Sequence, residues 1–127
     1  MVKFERYKLN NGLTVILHQD HSSSLVAVNL LYKVGSKYED EAHTGFAHLF
    51  EHMMFTGSEN VPDFDIPIQL AGGENNAFTN ADITNYYTIL PADNLETALY
   101  IEADRMRRLK LDQKKLDIQK KLSLIHI

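Results

Sequence analysis

Apolar and polar residues alternate from the start of the chain, the period expected of strands with one buried face. Residues 4–9 lead to Asn11-Gly12, a pair suited to a hairpin turn, and residues 13–18 (LTVILH) return from it. A polar connection from His21 to Ser24 precedes residues 25–34 (LVAVNLLYKV), long enough for a central strand. Gly35 to Glu41 reads as a charged loop.

The period then lengthens to three and four. Phe46, Ala47, Leu49, Phe50, Met53 and Met54 predict a helix that is apolar over most of its circumference and therefore buried. Thr44 suits its N-cap and Gly57 its stop. A shorter helix is expected over residues 65–71, with Pro67 in its first turn and Gly72-Gly73 ending it. Residues 75–79 and 83–90 read as strands, although Asn75-Asn76 alone suits a turn equally well. Pro91 opens a long helix to about Leu109, with Leu95, Leu99, Ala103 and Met106 on one face. A last helix starts near Asp112, and the charged residues from Asp104 to Lys121 read as a solvated face. This order predicts an α+β fold, a largely antiparallel sheet with helices packed on it.

Composition narrows the function. At 127 residues the chain has the size of one domain, and a net charge of −4 gives no footprint for nucleic acid. No cysteine is present, so histidine and carboxylates are the candidate metal ligands. No apolar run approaches the ~20 residues of a membrane span, and no charged-then-apolar leader precedes Phe4. A cytoplasmic location is the expectation.

The segment His48-Leu49-Phe50-Glu51-His52 carries the chemistry. Histidines four apart on a helix share a face and can share one metal ion, with Glu51 beside it. Two imidazoles holding Zn²⁺, a water acidified by the ion and a carboxylate to take its proton are the parts of metal-assisted hydrolysis. A single histidine among apolar residues is usually an ordinary core residue. Three ionisable groups on one apolar helix, buried without a metal or partners, would cost several kcal/mol. His43 reads as a surface or capping residue, and His18 and His21 attract no functional role. Phe78, Tyr86 and Tyr87 suit ordinary strand packing.

The run from Thr44 to Phe55 (TGFAHLFEHMMF) resembles the active-site helix of the pitrilysin-type, insulinase-like zinc peptidases, whose inverted H-x-x-E-H motif it carries. Asn11-Gly12-Leu13-Thr14-Val15 resembles that family's opening hairpin. Gly72-Gly73 through Asn76-Ala77-Phe78-Thr79, and then Thr84-Asn85-Tyr86-Tyr87, resemble its next two strands. Leu95-Glu96 and Glu102 to Met106 resemble its long helix. The resemblance implies that His48 and His52 are zinc ligands and Glu51 the general base. It also implies that Asn76, Ala77 and Phe78 form the edge strand and pocket that receive an extended substrate.

The family's third ligand is a glutamate seven residues after another acidic residue. Gln119 stands where the resemblance puts that acidic residue, and seven on stands His126. A three-histidine site with His126 and an inactive homologue are two explanations. The one we favour is truncation: the tail Leu122-Ser123-Leu124-Ile125-His126-Ile127 is what the adapter string CTGTCTCTTATACACATC encodes. Residues 1–121 are accordingly expected to be the N-terminal part of a pitrilysin-like metallopeptidase domain, and 122–127 a non-native tail. The implied function is a zinc endopeptidase cutting peptides or small unfolded proteins, enclosed with a second homologous domain on the same or another chain. The fragment alone would be inactive. The rivals are a non-catalytic scaffold or processing subunit of the same fold, and a fragment that only binds metal or peptide.

Overall fold

The computed structural model describes residues 1–126, with side chains as far as 122. Five strands and four helices follow in the order β1 (Glu5–Lys8), β2 (Thr14–Leu17), β3 (Leu25–Tyr32), α1 (Phe46–Met53), α2 (Asp65–Leu70), β4 (Glu74–Thr79), β5 (Thr84–Pro91), α3 (Leu95–Arg108) and α4 (Gln113–His126). All strand pairs are antiparallel, which bears out the α+β expectation.

Among the described residues β1 and β2 pair only with each other, Glu5 opposite Leu17 and Lys8 opposite Thr14. The hairpin leaves Ile16, Leu17 and Tyr7 exposed. The remaining strands form a sheet in the order β3-β5-β4. β3 is therefore an edge strand of this sheet, and not the central strand its length suggested. The central place belongs to β5, which explains why none of its residues is exposed. Asn75-Asn76 lies within β4 and forms no turn.

Helices α1, α2 and α3 contact the sheet, in which Val26, Val28, Leu30 and Tyr32 of β3 stand opposite Leu90, Thr88, Tyr86 and Thr84 of β5. Leu90 is fully buried, and Val61, Phe64, Ile68 and Ile101 form a cluster between α2 and α3. Pro91 closes β5 instead of opening a helix, and a 3₁₀ turn over Ala92–Asn94 precedes α3.

Two helix faces differ from expectation. In α3 the apolar stripe faces outward: Leu99 is 50% and Met106 46% exposed. Its buried face is Ala98, Ile101, Glu102, Asp104 and Arg105. Asp104 and Arg105 thus do not belong to a solvated surface. In α1 only Ala47, Leu49 and Met53 are buried, while Phe46 and Phe50 are exposed among the described residues.

The buried charges of α3 are satisfied. Arg105 donates from Nε to Glu102 Oε2 at 3.0 Å and from Nη2 to Oε1. Its guanidinium lies 4.6 Å from the Tyr86 ring centroid, 5.2 Å from that of Phe64 and 5.4 Å from that of Phe55. Asp104 accepts from Ser58 Oγ, from the Asn60 amide at 3.1 Å and from Asn60 Nδ2 at 2.7 Å. These bonds, Ser58 first, hold its carboxyl below the usual carboxylate value. They fix the loop after α1, where Gly57 turns at φ 114° against Pro62.

Candidate active site on α1

Helix α1 has eight residues, too few to be stable alone, and is held from outside at both ends. Its N-cap is Gly45 at φ 83°, one residue past the expected Thr44. Glycine reaches that left-handed conformation without steric cost. The Glu39 carboxylate accepts from the Gly45 amide at 2.7 Å and the Ala47 amide at 2.8 Å. A negative group on these free donors satisfies them and opposes the positive end of the helix dipole. Past the C-terminal end, Arg105 Nη1 approaches the Met54 carbonyl at 3.5 Å, and Lys115 Nζ of α4 donates to the Thr56 carbonyl at 3.0 Å.

The four-residue spacing puts His48 and His52 side by side, with Nε2 atoms 3.1 Å apart and ring centroids 4.6 Å apart. Two nitrogens bound to one tetrahedral zinc stand about 3.3 Å apart, given a Zn–N bond of about 2.05 Å. The pair therefore fits a shared divalent ion with little movement. Both imidazoles and Glu51 are half-buried.

Glu51 Oε2 accepts a hydrogen bond from Thr79 Oγ1, the last residue of β4. Thr79 stands opposite Thr84 of β5, whose hydroxyl donates to the Val34 carbonyl at 2.9 Å. A cavity of about 310 Å³ opens beside this group, lined by Ser36, Glu39, His48, Thr79 and Asn80 among others. Tyr86 lies behind it on the sheet, where burial pushes its phenol well up, opposed by Arg105.

Asn76, Ala77 and Phe78 sit on β4, which pairs with β5 on one side and, among the described residues, with no strand on the other. The Asn76 and Phe78 side chains are exposed on one face of the sheet, and Ala77 is half-buried on the other. Asn76 Oδ1 accepts from the Ala77 amide at 2.8 Å. His43 is exposed and bonded to Asp40. Among the described residues no third His, Asp or Glu joins the α1 pair to make a group able to hold a metal. Gln119 lies on α4, which packs against α1, while the side chain of His126 falls outside the described residues.

Sequence reasoning assigned no role to Glu39 and Thr79 at this site. Glu39 is separated from α1 by a loop, so no spacing announces it. Thr79 reaches Glu51 only because β4 folds back alongside α1.

Comparison with known proteins gives the family. The profile of the insulinase family (peptidase family M16) matches residues 14–126, and the chain belongs to that family. It is 35% identical over 114 residues to the zinc protease PqqE of Helicobacter pylori, covering 87% of this chain and 26% of that protein. A protease structure from Helicobacter pylori superposes with a TM-score of 0.92 at 32% identity, over 95% of this chain and 30% of the other. The crystal structure of pitrilysin superposes with a TM-score of 0.84 at 30% identity, over 93% of this chain and 13% of the other. The chain thus spans about a quarter of the length of the curated relative. Among the described residues no helix is long and apolar enough to cross a membrane.

Proposed function

We propose that the chain is the N-terminal part of a zinc-dependent endopeptidase domain, with His48 and His52 as ligands and Glu51 as general base. The observation that carries this reading is the pair of imidazole nitrogens 3.1 Å apart beside a carboxylate fixed by Thr79. His48 and His52 would hold zinc there, and the ion, when bound, would supply Lewis acidity for a scissile carbonyl and lower the pKa of a bound water. Glu51 takes the proton from the attacking water and passes it to the leaving amine. The open edge of β4 receives the substrate as an added strand, whose backbone bonds are indifferent to sequence. Asn76, Ala77 and Phe78 lie along that strand, with Phe78 offering an exposed apolar surface for a substrate side chain.

Residues 1–121 form the native part on this reading, and a third ligand, a glutamate, comes from sequence beyond it. The exposed Phe46 and Phe50, and the apolar cavity of about 400 Å³ between them and Tyr32, support a continuation that would cover them. A second homologous domain, on the same or another chain, would enclose peptide or unfolded protein substrates.

The test is to express the parent gene at full length with Glu51 intact and as Glu51→Gln. Zinc-dependent peptide hydrolysis that falls at least a hundredfold in the variant, with zinc retained, supports the reading. A wild-type protein that binds no zinc and cuts no peptide supports a non-catalytic subunit of the same fold instead.

A further inference from the structure

We infer that Thr79 is a positioning residue for Glu51, linking the edge strand to the base through one hydroxyl. The inference rests on the proposed catalytic role of Glu51 and goes beyond it. A glutamate on a helix surface has three rotatable bonds, and a general base must hold its oxygen within hydrogen-bond reach of the proton it takes. Among the described residues, Thr79 Oγ1 is the hydrogen-bond donor found on that carboxylate, and it occupies Oε2. On this reading the other oxygen, Oε1, is the one that takes the proton of the attacking water.

The donor is itself held. Thr79 has one hydroxyl proton and gives it to Glu51. Its neighbour Thr84 donates to the Val34 carbonyl at 2.9 Å and, at 3.4 Å, lies where its hydroxyl can donate to Thr79 Oγ1, a contact in which Thr79 accepts and keeps its own proton for Glu51. Thr84 is 4% exposed and opposes Thr79 in the ladder between β4 and β5. As a β-branched residue in a strand, Thr79 has restricted rotamers, which keeps the donor aimed. Thr79 also ends the strand that carries Asn76, Ala77 and Phe78. A peptide added to β4 would order the backbone from which this hydroxyl projects. Seating of substrate and orientation of the base then share one structural element.

The experiment compares Thr79→Ser, Thr79→Ala and Glu51→Gln in the full-length protein, measuring kcat, KM and bound zinc. Losing the hydroxyl removes a hydrogen bond to a charged group, so Thr79→Ala should lower kcat by about tenfold or more. KM and zinc content should stay within about twofold, because His48, His52, Asn76, Ala77 and Phe78 are all unchanged. Thr79→Ser, which keeps the hydroxyl and loses the methyl, should recover most of kcat. Ser and Ala variants with equal kcat overturn the inference, whether both are active or both impaired, since the hydroxyl is the difference between them. A Glu51→Gln protein that remains active overturns the assignment of the base as well. Loss of activity in Glu51→Gln, with Thr79→Ala unaffected, refutes only the role of Thr79.

Discussion

Replacing Arg105 by methionine tests how the buried face of α3 is stabilised. Arg105 is 2% and Glu102 7% exposed, and the two are joined by paired hydrogen bonds. Methionine keeps most of the side-chain volume, so the cavity left behind is small. What is lost is the partner of a buried carboxylate, a change that costs about 3–5 kcal/mol. Loss of the cation–π contacts to Tyr86, Phe64 and Phe55 falls within that range. A domain of this size is stable by about 5–15 kcal/mol, so the variant should lose a large share of its stability. With a urea dependence of about 1.5 kcal/mol per molar, the unfolding midpoint should drop by roughly 2–3 M.

Urea unfolding at neutral pH, followed by far-UV circular dichroism and tyrosine fluorescence, measures this directly. The companion is the double variant Glu102→Leu with Arg105→Met, which removes both charges. Replacing a buried pair by apolar residues of similar volume is often neutral, so the double variant should recover to within about 1 kcal/mol of wild type. The reasoning fails if Arg105→Met costs less than about 1 kcal/mol, a value expected of an exposed pair. It fails equally if the double variant is as unstable as the single one. The cost would then lie in packing against the three aromatic rings and not in an unpaired charge.

Two further predictions concern the ends of α1 and the loop behind it. Glu39→Ala should destabilise the fold by about 1 kcal/mol, as loss of an N-terminal cap does, read as a lower urea midpoint. Asp104, held below its ordinary value of 3.8 chiefly by Ser58, binds protons less readily folded than unfolded. Its contribution is therefore complete above that value and lost as pH falls through its depressed pKa. Asp104→Asn should flatten the acid limb of a stability-against-pH curve and lower the plateau at neutral pH. An unchanged acid limb would show that other carboxylates govern it.

The sequence made α1 legible because its apolar residues recur at helical spacing and its three ionisable residues are close in number. It made β4 and β5 legible through their composition. The buried face of α3 was hidden by the same logic. Leu95, Leu99, Ala103 and Met106 form a true apolar stripe, yet the sheet covers the face bearing Glu102 and Arg105. Periodicity counts apolar side chains, and it misses charged ones that can be buried because they satisfy each other. Strand order was hidden for another reason. The length and apolarity of residues 25–34 suit a central strand, but which strand lies between two others depends on pairings far apart in sequence. Glu39 and Thr79 belong to this second class, since each meets α1 only after the chain has folded back.

These distant contacts bear on what the histidine motif does by itself. Eight residues give fewer internal hydrogen bonds than helix nucleation costs, so α1 depends on burial of Leu49 and Met53 and on groups at its ends. Those groups follow the helix dipole: Glu39 is acidic and sits at the N-terminus, while Arg105 and Lys115 are basic and reach carbonyls just past the C-terminus. Two come from elements later in the chain and one from a loop before it. The 3.1 Å separation of the imidazole nitrogens is thus a property of the fold and not of five consecutive residues. A peptide spanning residues 44–57 should be largely unstructured by circular dichroism. It should also bind zinc at least about tenfold more weakly than the 127-residue chain, since it must pay the ordering entropy that the fold has already met. Isothermal titration of both, with His48→Ala in the chain as control, decides the matter. Equal affinity of peptide and chain would mean that spacing alone makes the site, and that the contacts to Glu39, Arg105 and Lys115 serve stability only.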